Sequence, residues 1–230
     1  CDFRVQDVAL GGQGAPLVPI GDRFLFSEYT FCLNLGGFSN ISFEKEKERI
    51  AFDICPVNIV MNQYTRKIGL EYDDKGKMAS KGNLNKNLLE ELNGLPFYND
   101  DQPKSLGYEY IEDVILPMID NYELPVEDIL RTFVEHVAIQ IANIVNVNRS
   151  QNLTENMLVT GGGAFNDFLI DRLRDLSKVE IVIPDKEIID FKEALVFALL
   201  GVLKDQNEVN CLKSVTGAKR DHSSGVVFDI

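Results

Sequence analysis

One stretch of the chain constrains its fold more than any other, because strands and helices alternate along it. A short buried strand is predicted over residues 156–160 and runs into Gly161-Gly162-Gly163. A helix is predicted over 166–176, then a strand over 179–183 that ends at Pro184, then a helix with an apolar face over 191–203. A strand, a glycine turn, a helix and a further strand–helix pair are typical of an α/β fold.

The rest of the chain supplies further elements of the same kind. Apolar residues recur at helical spacing over residues 126–147, just after Pro125, which predicts a long helix. Shorter helices are predicted over 58–68 and 85–92. Two apolar runs, 29–43 and 50–54, flank a charged turn and predict a hairpin, and the glycine-rich first twenty residues are predicted to be an ordered loop.

Charge and hydropathy exclude several classes of protein. The chain has 23 Lys and Arg against 36 Asp and Glu, a net charge of −13, so a nucleic-acid partner and an anionic membrane surface are not expected. Its longest uncharged apolar stretch, residues 194–203, is about half of the ~20 residues that cross a bilayer. The sequence therefore predicts a soluble, folded protein.

The cysteines argue against a metal site. They stand at positions 1, 32, 55 and 211 with no CxxC pair, and the chain has two histidines, so the local spacing gives no zinc site and no metal ligands are assigned. Widely spaced thiols indicate a reduced, cytoplasmic protein. Because the chain opens with Cys1-Asp2 rather than with Met, further residues are expected upstream.

Two groups of glycines could approach a ligand. The triplet Gly161-Gly162-Gly163 lies between a strand and a helix, where its backbone could bind phosphate, although a tight turn explains it about as well. The pair Gly36-Gly37 marks a β-bulge or a contacted surface, and by itself favours the bulge. Neither group is a GxGxxG or P-loop motif.

Several charged residues also have two interpretations. Asp53 ends an apolar strand and is either a helix N-cap or a base, with the cap favoured in isolation. Arg4 and Asp7 precede the first glycine loop, where structural ion pairing is the simpler explanation. Glu193 can complement a helix dipole, and His136 in the long helix is interpreted as a satisfied core histidine.

Taken together, these segments resemble the anhydro-N-acetylmuramic acid kinases. Six motifs occur in the family's order and cover the chain nearly end to end. They are Asp2-Phe3-Arg4 with Asp7 and the run from Gly11 to Pro19, Leu33 to Ile41, Phe52-Asp53 with Pro56 and Asn58, Pro103-Lys104-Ser105 with Gly107 and Glu109, Val159 to Asn166, and Glu193-Ala194 with Ser214 to Ala218.

The resemblance implies a fold, a reaction and site residues. The fold is the ribonuclease-H-like α/β fold of sugar kinases, Hsp70 and actin, with a cleft between two domains. The reaction uses ATP and Mg²⁺ to phosphorylate 1,6-anhydro-N-acetylmuramic acid while water opens the anhydro ring, during cell-wall recycling. The implied site residues are Asp53 as catalytic base, Arg4, Asp7 and Glu193 near the sugar, and Gly36, Gly37, Gly161, Gly162 and Gly163 at the nucleotide.

The chain departs from the family pattern in three ways. Cys55 and Val57 replace glycines after the expected base, and Leu106 and Tyr108 replace a Thr and an Arg. The family's amino-terminal third, with its first phosphate loop, is expected to be missing. The chain is therefore interpreted as the edge of one kinase domain (1–28), a second ribonuclease-H-like domain (29–184), and a helix and tail returning toward the first (185–230).

Three possibilities follow for the function. The first is a partial sugar kinase that folds but turns over little by itself. The rivals are a non-catalytic nucleotide-gated protein of the actin or Hsp70 kind and an inactive interaction fragment. The segment from Asp7 to Pro19 favours the kinase, since the rivals would not need it. Sugar and ATP are the expected partners, and a homodimer stays open.

Overall fold

The chain folds around one mixed sheet. A computed structural model describes residues 1–99, 105–150 and 154–228. The strands are β1 (Phe31–Leu35), β2 (Phe38–Lys45), β3 (Glu48–Pro56), β4 (Asn156–Thr160) and β5 (Glu180–Val182).

Helices lie on both sides of this sheet. The α-helices are α1 (Val5–Ala9), α2 (Pro19–Leu25), α3 (Asn58–Arg66), α4 (Lys86–Asn93), α5 (Tyr108–Tyr110), α6 (Leu116–Asp120), α7 (Val126–Asn148), α8 (Asp167–Leu176), α9 (Lys186–Asp205) and α10 (Lys213–Thr216). A π-helical turn, Ile111–Ile115, joins α5 to α6, and short 3₁₀ turns occupy Asp74–Gly76, Ala79–Lys81, Pro96–Asn99 and Gly162–Phe165. Within the described ranges, no helix is both long and apolar enough to span a membrane.

The strand directions decide where a site can form. The order is β3-β2-β1-β4-β5, with β1–β2 and β2–β3 antiparallel and β1–β4 and β4–β5 parallel. It follows that β1, β3 and β4 run in the same direction, and their carboxyl ends lie at one edge. This order agrees with the ribonuclease-H-like domain that the resemblance implies.

Side-chain alternation gives the sheet two different faces. Phe31, Leu33 and Leu35 of β1 enter the main core, which includes residues of α3, α4, α7 and α8. The opposite face carries Cys32, Ala51 and Leu158, and is covered by smaller clusters that include residues of α2, α9 and α10. Each strand therefore needs apolar residues toward the main core and tolerates polar ones toward the other side.

Most predicted elements are confirmed, with changed ends. The long helix and the strand over 156–160 lie as expected, and α4 begins after Asn85, whose side chain accepts from Leu88 N–H. The last long helix starts at Lys186, five residues earlier than expected. The first twenty residues are not wholly a loop, since they contain α1 and the start of α2, and the helical region over 108–120 was not predicted.

The interpretation of Gly36-Gly37 as a bulge inside a strand is wrong. These glycines form the turn between β1 and β2, so the run over 29–43 is two strands rather than one. The bulge lies beside the turn, between Ser39 and Asn40, where β2 pairs with β3. The predicted hairpin is β2–β3, and its turn residues Glu46 and Lys47 both have positive φ.

The two ends of the chain pack together on the second face of the sheet. Leu17 and Ile20 lie in one cluster with Val196 and Leu200 of α9 and with Val215 of α10. All five strands fall within the 29–184 segment. The division of the chain at residues 28 and 184 remains a prediction.

Candidate active site

A row of polar residues crosses the sheet near its carboxyl-end edge. Thr160 of β4 is paired with Asn34 of β1, Asn34 with Asn40 of β2, and Asn40 with Asp53 of β3. We call Thr160, Asn34, Asn40 and Asp53 the polar row. Neighbouring strands lie about 4.8 Å apart, so three spacings put Asp53 roughly 14 Å from Thr160. The row therefore spans a distance suited to a phosphorylated ligand.

Glycines adjoin two points of this row. Gly161 follows Thr160 directly, and the turn Gly36-Gly37 follows the end of β1. Because β1 and β4 are parallel, both turns lie at the edge where ligands bind in sheets of this kind. The carbonyls of Gly36 and Gly37 accept hydrogen bonds from Asn58 and Val57 N–H, at 3.3 and 2.8 Å, and so fix the start of α3.

The three glycines of the 161–163 turn differ in the space that a side chain would have. Gly161 has φ +81° and ψ 167°, a conformation essentially limited to glycine, and a Cβ there would lie 2.7 Å from Asn34 Oδ1. A Cβ on Gly163 would lie 2.6 Å from Leu35 Cβ. Gly162 is exposed, and a Cβ there would come no closer than 3.8 Å to Asn58 Nδ2. Packing therefore requires the outer two glycines but not Gly162.

Gly162 lines the larger of two cavities. This larger cavity, of about 950 Å³, lies between α3, the segment over 72–75 and α8. Its apolar walls include Met61, Tyr72, Phe165, Ile170 and Ile183, and its polar lining includes Asn58, Asn62, Lys75, Arg174 and Lys186. Four aspartates, Asp73, Asp74, Asp167 and Asp171, also line it. Aromatic and aliphatic walls with polar groups around them suit a flat heterocycle with a polar extension.

The smaller cavity, of about 450 Å³, lies over the polar row. Thr160, Asn34 and Asn40 line it from the sheet, together with Gly36 and Gly161. Arg4, Asp190, Lys192 and Glu193 contribute from the two ends of the chain. Gly161 lines the smaller cavity and Gly162 the larger, so this turn separates the two spaces.

Buried charges stabilise the wall of the smaller cavity. Lys192 Nζ lies 2.7 Å from Asp22 Oδ1, and Ser42 Oγ donates to Asp22 Oδ2 at 2.5 Å. Arg49 Nη2 donates to Ser42 Oγ at 2.8 Å. Burial is tolerated because each charge has a partner. The wall of the smaller cavity thus carries charges of both signs: the cations Arg4 and Lys192 and the carboxylates Asp22, Asp190 and Glu193.

Asp53 lies within β3 and not at its end, and its carboxylate contacts a distant segment. Ser105 Oγ and Leu106 N–H both donate to Asp53 Oδ2 at 3.1 Å. The N-cap of α3 is Val57, so the interpretation of Asp53 as a helix cap is wrong. Both of these hydrogen bonds go to Oδ2, and among the described residues none bonds to Oδ1, which is therefore the oxygen assigned to a ligand. Pro103 and Lys104 of the same motif lie outside the described residues.

The three residues expected near the sugar have different positions. Arg4 and Glu193 line the smaller cavity, with Arg4 Nη1 donating to Gly14 O at 2.8 Å. Asp7 is fully buried: its carboxylate accepts from Gly14 N–H at 2.8 Å and from Thr216 Oγ1 at 2.7 Å. A direct sugar contact by Asp7, which stays a prediction, would require this loop to move.

The carboxylate of Asp7 leaves no room for a side chain at Gly12. A Cβ on Gly12 would lie 2.2 Å from Asp7 Oδ2. The glycine loop therefore closes around the carboxylate, which receives the Gly14 N–H within it. In this structure Asp7 holds the loop that places Ala15 and Pro16 in the smaller cavity wall.

His136 is a satisfied core histidine. It is fully buried, with Nε2 2.8 Å from Tyr98 Oη and Nδ1 2.7 Å from Asn93 Oδ1. Burial lowers the pKa of His136 to about 3, so the ring is neutral at ordinary pH. His136 lines neither of these two cavities.

The fold thus brings together most of the residues singled out in the sequence. Gly36, Gly161, Arg4 and Glu193 line one cavity, Gly162 lines the other, and Asp53 is next to Asn40 at the end of the polar row. Gly37, Asp53, Gly163 and Asp7 line neither. Sequence reasoning assigned no role to the other row members, Asn34, Asn40 and Thr160, although a polar residue at alternate positions of an apolar strand was the available signal.

Comparison with known proteins gives a family over the whole chain. A sequence model described as anhydro-N-acetylmuramic acid kinase matches residues 1–230. The chain is 37% identical over 247 residues to the anhydro-N-acetylmuramic acid kinase of Haemophilus influenzae, and 35% identical over 238 residues to that of Coxiella burnetii. Each match covers 99% of the chain, which spans 64% and 63% of the length of these relatives.

A solved structure shares the fold at low sequence identity. It is the activator of 2-hydroxyisocaproyl-CoA dehydratase from Clostridium difficile with bound ADPNP. The TM-score is 0.50 and the identity 14%, over 83% of this chain and 67% of the other. This likeness and the strand order show a ribonuclease-H-like α/β fold.

Proposed function

The chain belongs to the anhydro-N-acetylmuramic acid kinase family, and we propose that it forms the nucleotide-binding and base-carrying wall of such an enzyme. The reaction is ATP-dependent phosphorylation of 1,6-anhydro-N-acetylmuramic acid with opening of the anhydro ring. The product is N-acetylmuramic acid 6-phosphate, which belongs to cell-wall recycling in the cytoplasm.

One observation carries the proposal: the 161–163 glycine turn separates the larger cavity, which has aromatic and aliphatic walls, from the smaller cavity, which lies over the polar edge of the sheet. The larger cavity receives the adenosine, because its walls offer Tyr72 and Phe165 with polar groups around them. The smaller cavity receives phosphates and sugar, next to Arg4 and Lys192. Backbone at Gly161 and Gly162 then lies beside the bridging phosphates, where missing side chains permit close approach.

Asp53 is proposed as the base that activates water. Water adds at the anomeric carbon, its proton passes to Asp53 Oδ1, and the bond from that carbon to O6 breaks. O6 then takes the γ-phosphoryl group of ATP, and ADP leaves. Hydrogen bonds from Ser105 and Leu106 hold Asp53 Oδ2, so the carboxylate is oriented before substrate arrives.

Mg²⁺ would be held chiefly by the ATP phosphates, whose charge it neutralises when bound. Two carboxylates in the wall of the smaller cavity are suitable ligands for this ion. Glu193 is exposed and lines the smaller cavity, and Asp190 lines it as well, so carboxylate oxygens are available to the ion directly or through water.

The reaction is tested by product mass. The complete protein that contains these residues should release ADP only when the anhydro sugar is present. Mass spectrometry should show a product heavier than a phosphorylated anhydro sugar by one water. A product that retains the anhydro ring would contradict the proposed role of Asp53, and sugar-independent ADP release would contradict the sugar kinase.

The isolated chain is tested separately. Catalysis in a cleft needs groups from both walls, so residues 1–230 alone should bind nucleotide weakly and turn over the sugar more slowly than ~1 s⁻¹, the lower end of ordinary enzyme rates. Faster turnover by these residues would show that one wall suffices. Nucleotide binding without turnover by the complete protein would favour the alternative of an inactive nucleotide-binding or interaction fragment.

A further inference from the structure

Three potential metal ligands converge among residues that line neither cavity. Asp7, Cys211 and His222 are all buried, and one donor atom from each lies within 4.8 Å of the others. We call these three residues the Asp7 cluster. Cys211 and His222 face each other in an isolated antiparallel bridge, which brings the end of the chain against the Asp7 loop.

The imidazole of His222 is arranged as a ligand would be. Its Nδ1 lies 3.1 Å from Arg220 O and donates to that carbonyl, so Nε2 is the ring nitrogen that faces a ligand. Among the described residues Nε2 has no hydrogen-bond partner, although His222 is only 6% exposed. It points at Asp7 Oδ1, 3.5 Å away. A histidine that donates one ring nitrogen to a carbonyl and turns the other inward is the common arrangement at metal sites.

A buried carboxylate such as Asp7 is stabilised by a cation close to it. This carboxylate is fully buried, and the one basic side chain that the described residues place within 4.0 Å of it is the imidazole of His222. Two neutral donors, Gly14 N–H and Thr216 Oγ1, also reach it, but each carboxylate oxygen has a further lone pair. Buried charges are normally paired or bound to a metal.

We propose that the Asp7 cluster binds one Zn²⁺ through a carboxylate oxygen of Asp7, the Cys211 thiolate and His222 Nε2. Zinc takes all three donor types, at about 2.0–2.3 Å in a tetrahedron, so the donors must close by about 1 Å. Burial, and secondarily Asp7, raises the pKa of the Cys211 thiol to about 11, so zinc binding would release that proton.

The ion would join both ends of the chain. Asp7 lies in α1 and binds the glycine loop whose Ala15 and Pro16 line the smaller cavity, and Cys211 and His222 lie after α9. A bound cation would therefore fix the position of the glycine loop without contacting substrate. The site needs residues more than 200 positions apart, which explains why local spacing argued against zinc.

Cobalt titration tests the site. Metal-free protein is titrated with Co²⁺, whose bond to a thiolate gives a near-ultraviolet charge-transfer band. We expect the band to saturate at one equivalent and Zn²⁺ to abolish it. Cys211→Ala should remove the band, His222→Gln should weaken Co²⁺ binding by about tenfold or more, and Cys32→Ala, a matched loss of a buried thiol, should leave it intact.

Several outcomes would overturn the proposal. If His222 only pairs with Asp7 as an imidazolium, folded wild-type protein gives no charge-transfer band at saturating Co²⁺. A band that persists in Cys211→Ala, or that disappears in Cys32→Ala, would place the metal elsewhere. Should the variants not fold, the wild-type titration still decides, because absence of the band is sufficient to reject the site.

Discussion

Asp53 shows how a single residue gains its role from the strand around it. From sequence it could be a helix cap, but β3 continues to Pro56 and α3 is capped elsewhere. The side chain alternates with Phe52 and Ile54 of the main core, so it lies with Ala51 on the opposite face of the sheet. The family resemblance predicted Asp53 as the base, whereas its hydrogen bonds with Ser105 and Leu106 could be found only from the folded structure.

Asp53→Asn tests the base. The amide keeps the shape but cannot take a proton, so kcat should fall by ~10²–10⁴ while nucleotide affinity stays nearly constant. Ser105→Ala is the control, since Leu106 N–H still holds the carboxylate, and its kcat should fall less than about tenfold. Ordinary turnover by Asp53→Asn would mean that another group activates the water.

His136 gives the fold a dependence on pH. Its pKa is about 3 when folded against about 6.5 in a free chain. Between these values the unfolded chain binds the extra proton, so stability from this group is present above pH 6.5 and is lost as pH falls. The free energy of unfolding should drop by about 1.4 kcal/mol per pH unit below 6.5, in addition to the effects of other groups.

The measurement for His136 is urea unfolding at several pH values between 7.5 and 4.5. His136→Gln lacks the titrating ring, so its stability should fall less steeply with acid than that of the wild type. Parallel curves for the two proteins would contradict the neutral, buried state assigned to His136.

At the scale of elements, regular periodicity was predictable and interruptions were not. The helix predicted over 126–147 is Val126–Asn148, because its apolar stripe is long and regular. The helical region over 108–120 was missed for two reasons. A π-helical turn at Ile111–Ile115 changes the apolar spacing, and Pro117 lies in the first turn of α6. α1 has five residues, too few to show a period.

The glycine turn after β4 gives a stability prediction. Gly161→Ala would strain a backbone of φ +81° and bring Cβ within 2.8 Å of Leu35 C and O, so it should cost about 1–3 kcal/mol or more. Gly162→Ala has room and should change stability by less than about 0.5 kcal/mol. Urea unfolding compares them, and equal losses would contradict the described turn.

At the scale of the whole molecule, the site depends on contacts that no local pattern shows. The smaller cavity combines Arg4, Asn34, Thr160 and Glu193, which only the order β3-β2-β1-β4-β5 and the packing of α9 bring together. Sequence motifs predicted the glycines and the base, because their spacing is local. The polar row and the charged wall of the smaller cavity could be found only from the strand registers and the packing of both chain ends.

The central claim is that the 161–163 turn forms the nucleotide wall. Calorimetric titration of the complete protein with ADP tests it by comparing Gly162→Val with Gly201→Val, which adds the same side chain in α9, where a Cβ has no neighbour within 4 Å. Gly162→Val should weaken ADP binding by about tenfold or more, since the side chain enters the larger cavity, a loss of at least about 1.4 kcal/mol. Gly201→Val should bind ADP as the wild type does. Unchanged affinity in Gly162→Val would contradict the account.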